Sequence, residues 1–225
     1  MVQKVKKTVP AKAAAPRIEP RMQPAAPKRR GRPRAYQPDV ALGKALDLFR
    51  KDGFAATSLD DLSAATGMNR PSLYGAFGDK RELYIKSYQR YRDDARALMV
   101  NIFRDEMPIR KRLERIYAVA LDIYLSGESP RGCFTVMTAA SEAVFDPEIR
   151  SMVLDGFLEL DKAFASCFRL ARENGELAGS ADPIALSQLA SATIHTIAIR
   201  ARAGIPRREL ETIVKGAIDV MLRAA

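Results

Sequence analysis

Apolar residues recur at intervals of three or four positions along most of the chain from residue 38 onward. In residues 39–51 this stripe comprises Val40, Leu42, Ala45, Leu46, Leu48 and Phe49, and Gly53 ends the pattern. The spacing is typical of amphipathic helices, and no segment shows the alternation that indicates strands. The pattern predicts an all-α protein with about nine helices.

Capping residues and helix breakers divide the pattern into segments. Thr57 or Ser58 begins the second helix, Asn69 caps the third, and Asp79 with Glu82 resembles a capping box at the start of the fourth. Later breaks fall at prolines and glycines. The predicted helices cover residues 39–51, 58–66, 70–77, 80–104, 109–126, 131–145, 147–174, 183–203 and 206–223.

The excess positive charge is confined to the N-terminus. The net charge is +10, from 37 Lys/Arg and 27 Asp/Glu, and residues 1–36 hold 11 of the basic residues, one acid and six of the 13 prolines. Such a composition cannot bury enough apolar surface to fold. We therefore predict a disordered basic arm over residues 1–36 that seeks a polyanion, attached to a body of zero net charge.

Several classes of protein are excluded by what the sequence lacks. No apolar stretch suits a membrane span or a signal peptide, and two cysteines make no disulfide framework. A single histidine, with no nucleophile–base pair and no phosphate-cradling loop, argues against an enzyme or a metal site. We expect a cytoplasmic protein that is not an enzyme, contacts no membrane and carries no metal or other cofactor.

The first three helices have the layout of a helix-turn-helix. Gly67-Met68-Asn69 joins the second and third helices by a tight turn. Such a turn sets the first of the pair over the phosphate backbone and presents the N-terminal side chains of the second to the major groove. The sequence therefore predicts a DNA-binding domain over residues 37–83, followed by a second helical domain over residues 84–225.

Four motifs in this region resemble the TetR family of bacterial regulators. They are Ala45-Leu-Asp-Leu-Phe49, Gly53-Phe-Ala-Ala-Thr-Ser58, Leu62-Ser-Ala-Ala-Thr-Gly67, and Ser72-Leu-Tyr-Gly-Ala-Phe-Gly-Asp-Lys80 with Glu82-Leu83. The resemblance in sequence spans about residues 38–90. The rest of the chain resembles the family only in its length and in its number of helices. It implies a ligand-responsive transcriptional regulator, expected to be a repressor, that binds a palindromic operator as a homodimer. Residues 84–225 would form the ligand-binding and dimerisation domain.

The resemblance also implies which side chains contact DNA. Thr57 or Ser58 and Lys80 would touch phosphate, and Tyr74 would reach the backbone from a recognition face made of Asn69, Arg70, Pro71, Ser72 and Tyr74. Pro71 replaces the small residue of many members, so base preference does not carry over. In the arm, Arg30-Gly31-Arg32-Pro33 resembles an AT-hook, so Arg30, Arg32 and Arg34 would enter an A·T-rich minor groove. A solvated tail that binds any polyanion is the open alternative for the arm.

The resemblance assigns the remaining helices to an effector pocket and a dimer interface. The effector is an unidentified small molecule, and the candidate pocket residues are Phe103, Ile123, Cys133, Met137, Phe157, Phe168 and His195, with Phe134, Phe164 and Cys167 in the same helices. The candidate dimer residues are Leu186, Leu189, Ala190, Thr193, Ile197, Leu210, Ile213, Val214, Ala217 and Met221. Residues at such spacing also form ordinary cores.

Two further alternatives stay open at this point. Cys133 follows Gly132 near a predicted helix start, and its thiol is either a redox sensor or a buried inert group. Cys133, Cys167 and His195 could also bind a soft metal, but the spacing of these three residues matches no known metal-binding motif. The chain as a whole is either an operator-specific regulator or an architectural nucleoid protein, which would show little preference among A·T-rich DNAs.

Overall fold

The computed structural model describes residues 37–127 and 130–223 of the chain. Within these residues the fold is all-α, as predicted, with nine α-helices and one π-helix over Thr135–Ala139. The α-helices are α1 (Pro38–Ala56), α2 (Leu59–Thr66), α3 (Arg70–Phe77), α4 (Lys80–Arg104), α5 (Ile109–Tyr124), α6 (Ala140–Glu142), α7 (Pro147–Glu173), α8 (Pro183–Arg202) and α9 (Arg207–Arg223). The predicted arm, with Arg30, Arg32 and Arg34, lies outside the described residues.

Helices α1, α2 and α3 form a three-helix bundle, here called the reading domain, that packs on the start of α4. The described residues of Ala35–Ala225 pack as one compact unit, so the predicted domain boundary at residue 83 stays a prediction. Phe49 of α1, Leu62 of α2, Leu73 of α3 and Leu83 of α4 are all buried in the interior of the reading domain. Helix α4 then continues into the remaining helices, here called the second domain, where α5 and α7 pack against it, α8 packs against α5 and α7, and α9 packs against α5 and α8. One long helix thus runs through both parts. No described helix has the length and apolar character needed to cross a membrane.

Side-chain caps fix the starts of α2, α3 and α4. Ser58 and Asp61 form a capping box on α2, in which the Asp61 amide donates to Ser58 Oγ at 3.1 Å and the Ser58 amide donates to Asp61 Oδ2 at 2.9 Å. Asn69 Oδ1 accepts from the Ser72 amide at 2.9 Å on α3. Asp79 and Glu82 form the predicted box on α4. Local sequence therefore sets these helix starts.

Two predicted boundaries were wrong. Gly53 does not end α1; it kinks the helix at φ 82°, and the carbonyls of Arg50 and Lys51 beside the kink accept hydrogen bonds from Arg202 at 2.7 and 2.6 Å. The predicted helix over residues 131–145 is instead the π-helix followed by the three-residue α6. Hydroxyl pairs between α4 and the π-helix, such as Tyr84 Oη with Thr138 Oγ1 at 3.1 Å, are tertiary contacts that periodicity does not reveal.

Replacing Gly78 with alanine is expected to lower the free energy of unfolding by about 1–3 kcal/mol. Gly78 has φ 84° and ψ −152°, a region that side chains rarely adopt, and an added Cβ would lie 1.4 Å from Glu82 Oε2, a member of the α4 capping box. Urea denaturation checks this value. Gly75→Ala is the control, because that site is helical with open space around it; equal stability of the two variants would refute the argument.

Candidate nucleic-acid interface and helical-domain cavity

Helix α3 presents an exposed face at its N-terminal half. Asn69, Arg70, Pro71 and Tyr74 are exposed, and Ser72 is half-buried. Tyr74 leaves 46% of its surface open, although Leu73 beside it is only 2% exposed. The structure therefore brings the predicted recognition residues onto one accessible face.

Arg70 is held by an acid that the sequence analysis missed. Its Nε and Nη2 atoms donate to the two carboxylate oxygens of Asp60, at 3.1 and 2.7 Å, and both side chains are exposed. The paired carboxylate raises the pKa of Arg70. Because Asp60 belongs to α2, ten positions earlier in the chain, the pair ties the two helices of the motif and orients the guanidinium. Local sequence gives no signal for this pair.

The structure contradicts one predicted phosphate contact, that of Thr57, and another, that of Lys80, stays a prediction. Thr57 is 1% exposed and donates its hydroxyl to the Gly53 carbonyl at 2.6 Å, so the prediction that its side chain touches phosphate was wrong; the exposed Ser58 is the N-cap. The kink in α1 is at Gly53, and the hydrogen bond to the carbonyl of this residue keeps the Thr57 side chain inside the protein. The ammonium of Lys80 lies 4.3 Å from the ring centre of Phe54, and its contact with phosphate stays a prediction.

The second domain contains a cavity of about 530 Å³ between α4, α5, α7 and α8. Five predicted pocket residues line it: Phe103, Ile123, Cys133, Phe157 and His195. The other lining residues were not predicted from the sequence; they come mainly from α4 and α7 and include Tyr91, Arg92, Arg96, Met99, Glu159, Leu160 and Ile194. A volume of this size suits a small organic molecule.

The remaining predicted pocket residues lie elsewhere. Phe168 is fully buried in the core, and half-buried Met137 packs beside Gly132, so neither lines the cavity. Phe134, Phe164 and Cys167 are core residues as well. Helical spacing places a residue on an inner face, but it does not tell a packed interior from an empty one. Because Cys167 is away from the cavity, the three possible soft-metal donors do not share it.

Cys133 is a buried residue of the cavity wall. It is 8% exposed and adjoins Tyr91 and Tyr124, which are 7% and 4% exposed. Burial raises the pKa of both phenols well above its ordinary value, so they are neutral neighbours. Also on the cavity wall, His195 packs against Phe157 with ring centres 5.0 Å apart, and burial lowers the pKa of His195. Whether Cys133 senses oxidants stays a prediction.

Most of the predicted dimer residues are buried within a single protomer. Leu186, Ala190, Thr193, Ile197, Leu210, Val214 and Met221 are at most 9% exposed, so they form the core and cannot also form a subunit interface. In the sequence, a stripe that packs inside one chain looks the same as a stripe that packs against a second chain. Of the predicted set, Leu189 is exposed at 52%, and Ile213 and Ala217 are half-buried.

A different stripe of α8 and α9 is exposed. On α8 it is formed by Ala185, Leu189, Ala192 and Ile199, with the half-buried Thr196 among them, and on α9 by Thr212, Gly216 and Val220. Ile199 and Val220 leave 51% and 63% of their surfaces open, and the space around Gly216 is empty. These small and apolar residues lie opposite the buried sides of the two helices. They define what we call the outer face.

The fold and the exposed start of α3, which we call the reading helix, define the class of protein: a helix-turn-helix regulator with a helical second domain. Sequence profiles support this, since that of bacterial regulatory proteins of the tetR family matches residues 41–86 and that of the tetracyclin repressor-like C-terminal domain matches residues 110–216. The HTH-type transcriptional repressor ComR of Escherichia coli (strain K12) is 30% identical over 189 residues, which cover 83% of this chain and 89% of that relative. The chain belongs to the TetR family and is a DNA-binding transcriptional regulator.

Other relatives agree with this assignment. The transcriptional repressor BdcR of Escherichia coli (strain K12) is 31% identical over 124 residues, or 55% of this chain and 61% of BdcR. A cysteine mutant of the TetR family regulator CifR, solved with a 26 bp double-strand operator DNA, has a TM-score of 0.74 and 27% identity, covering 84% of this chain and 98% of CifR. The fold therefore matches that of a regulator seen on its operator.

Proposed function

We propose that the protein is a cytoplasmic repressor that binds a palindromic operator as a homodimer and releases it when a small-molecule effector occupies the cavity. The observation that carries the DNA-binding step is the capped, exposed start of α3, where Arg70 and Tyr74 share one accessible face. A two-fold dimer would place two such helices about 34 Å apart, one turn of DNA. Relatives named as repressors support the direction of regulation.

The outer face supports the homodimer. Apolar groups such as Leu189, Ile199 and Val220 are exposed in the single chain, and Ala192 and Gly216 allow a partner helix to approach closely. Exposed apolar surface on two adjacent helices is typical of a protein–protein interface. We therefore assign the dimer contact to this face, in place of the buried stripe that the sequence suggested.

The long helix α4 supports the coupling between effector and DNA. Its first turn contacts the reading domain, since Leu83 packs in the core of that domain. Its second half lines the cavity with Arg92, Arg96 and Met99. An effector that binds better to one position of α4 shifts the protein toward that position by the difference in affinity.

Replacing Tyr74 with alanine is expected to weaken operator binding about tenfold, because the exposed ring is the largest side chain on the reading face. Helix content and the dimer should be unchanged, since Tyr74 supports no core contact that the fold depends on. The measurement is fluorescence anisotropy on a DNA fragment that the protein protects next to its own coding region.

Phe145→Ala is the matched control for this experiment, because Phe145 is an exposed aromatic residue, at 84%, outside the reading helix. Operator affinity that is the same in both variants would remove Tyr74 from the DNA face. The same assay tests the architectural alternative: a protein that binds bulk A·T-rich DNA as tightly as the protected fragment is not an operator-specific repressor.

A further inference from the structure

The cavity wall combines one charged cluster with an apolar lining. Arg92 and Arg96 of α4 lie on this wall beside a single carboxylate, that of Glu159, and Arg104 lines it further along α4, next to Phe103. Arg96 and Glu159 expose 55% and 52% of their side chains, so the cluster meets solvent. The apolar lining is formed by buried or half-buried groups such as those of Phe103, Ile123 and Ile194. A molecule that fits both the cluster and the apolar lining has a negative headgroup and an apolar body.

Glu159 occupies the place where such a headgroup would bind. Its Oε2 accepts hydrogen bonds from Arg92 Nη2 at 2.9 Å and from Arg96 Nη2 at 2.6 Å. Burial by itself raises the pKa of Glu159, but these two guanidinium groups outweigh that effect and hold it below its ordinary value. The two arginines are therefore already arranged, one turn apart on α4, to bind a carboxylate.

The same cluster connects α4 to α7. Glu159 belongs to α7, and Arg92 also donates from Nη1 to the carbonyl of Met152 on α7 at 3.0 Å. A free carboxylate that binds the two arginines would remove the Glu159 link between these helices. The helix that carries the reading domain would then be less tightly held to its neighbour.

We propose that the effector is an amphipathic carboxylate whose headgroup displaces Glu159 from Arg92 and Arg96 while its hydrocarbon body packs against the apolar lining of the cavity. This inference rests on the proposed function of the cavity as the effector site. It specifies the chemical class of the effector and the first contact that the effector changes. The charge balance favours an anion over a cation, and the existing Glu159 pair favours a carboxylate.

Calorimetric titration of the full chain with octanoate, decanoate and dodecanoate, each below its micelle concentration, tests the class. We expect decanoate to bind at least about tenfold more tightly than decanol, because charge-assisted hydrogen bonds to guanidinium are strong. Decyltrimethylammonium, of the same chain length and opposite charge, should bind more weakly than either. Equal binding of decanol, tighter binding of the cation, or no binding of any of the three carboxylates overturns the proposal.

Two substitutions test the site. Arg96→Met keeps the apolar stem and should remove most of the preference for decanoate over decanol. Arg115→Met should leave that preference unchanged, since Arg115 has a similar side-chain exposure, 56%, and a similar ion pair, with Asp105, but does not line the cavity. An equal effect of the two substitutions overturns the assignment.

Glu159→Gln tests the displacement step. The amide competes poorly for the guanidinium groups, so decanoate should bind a few-fold more tightly to this variant than to the unaltered chain. Unchanged or weaker binding overturns the step. Operator affinity of the ligand-free protein is measured in parallel: intact operator binding without carboxylate binding overturns this inference alone, whereas absent operator binding overturns the proposed function.

Discussion

Arginine in place of Ala192 is expected to separate the dimer and to lower operator affinity by at least about a hundredfold. Ala192 lies at the centre of the exposed α8 stripe, and the smallness of the residue allows two helices to approach. A guanidinium there would face its own copy across the two-fold axis, so that two like charges and two long side chains oppose association. A single reading domain then loses the second half-site.

Sedimentation equilibrium and operator binding together check this result. Ala97→Arg is the control, because Ala97 is an exposed alanine on α4, outside the outer face. The argument predicts a monomer for the first variant and an unchanged assembly for the second. A dimer that persists in Ala192→Arg would place the subunit contact elsewhere on the protein.

Removal of residues 1–34 is expected to lower operator affinity about a hundredfold at low salt and to flatten the dependence of affinity on salt. The deleted segment holds 11 of the 37 basic residues and one acid. Each cation that neutralises a phosphate releases a counterion, so its loss reduces the slope of log affinity against log salt. Titrations at a series of salt concentrations measure both quantities.

A second variant distinguishes the two hypotheses for the arm. Changing Arg30, Arg32 and Arg34 to glutamine leaves the other arm cations in place. If these three arginines enter the minor groove, the variant should lose the preference for A·T-rich flanking sequence along with part of the affinity. A general basic tail would lose affinity equally on every flank, and a deletion that leaves the salt slope unchanged would mean that the arm does not contact DNA.

The helix-turn-helix could be predicted closely because its determinants are local. The residues of each capping pair, Ser58 with Asp61 and Asp79 with Glu82, are three positions apart, so neighbouring residues determine where these helices start. The pair of Asp60 and Arg70 could not be found in this way, because ten intervening residues must first fold into two helices and a turn. Neither could the inward rotation of Thr57, which depends on the kink at Gly53.

The second domain was predicted less well because its important features are tertiary. Its long helices follow from apolar spacing and breaker residues, and most of their boundaries agree to within two residues. Whether Phe168 packs in the core while Phe157 lines a cavity depends on how completely neighbouring helices fill the space. The charged cluster of Arg92, Arg96 and Glu159 joins positions more than 60 residues apart, so no local pattern indicates it.

The hydrogen bonds of Arg202 to the end of α1 give the reading domain a second attachment. Arg202 is in the last turn of α8, the helix that we assign to the subunit contact, and it holds the carbonyls of Arg50 and Lys51 directly. In a dimer formed through the outer face, the spacing between the two α3 helices would therefore be held through α8 as well as through α4. An effector that moves only α4 must therefore also break the hydrogen bonds of Arg202 to α1. This requirement favours a switch between two distinct positions of the reading helix over a gradual movement.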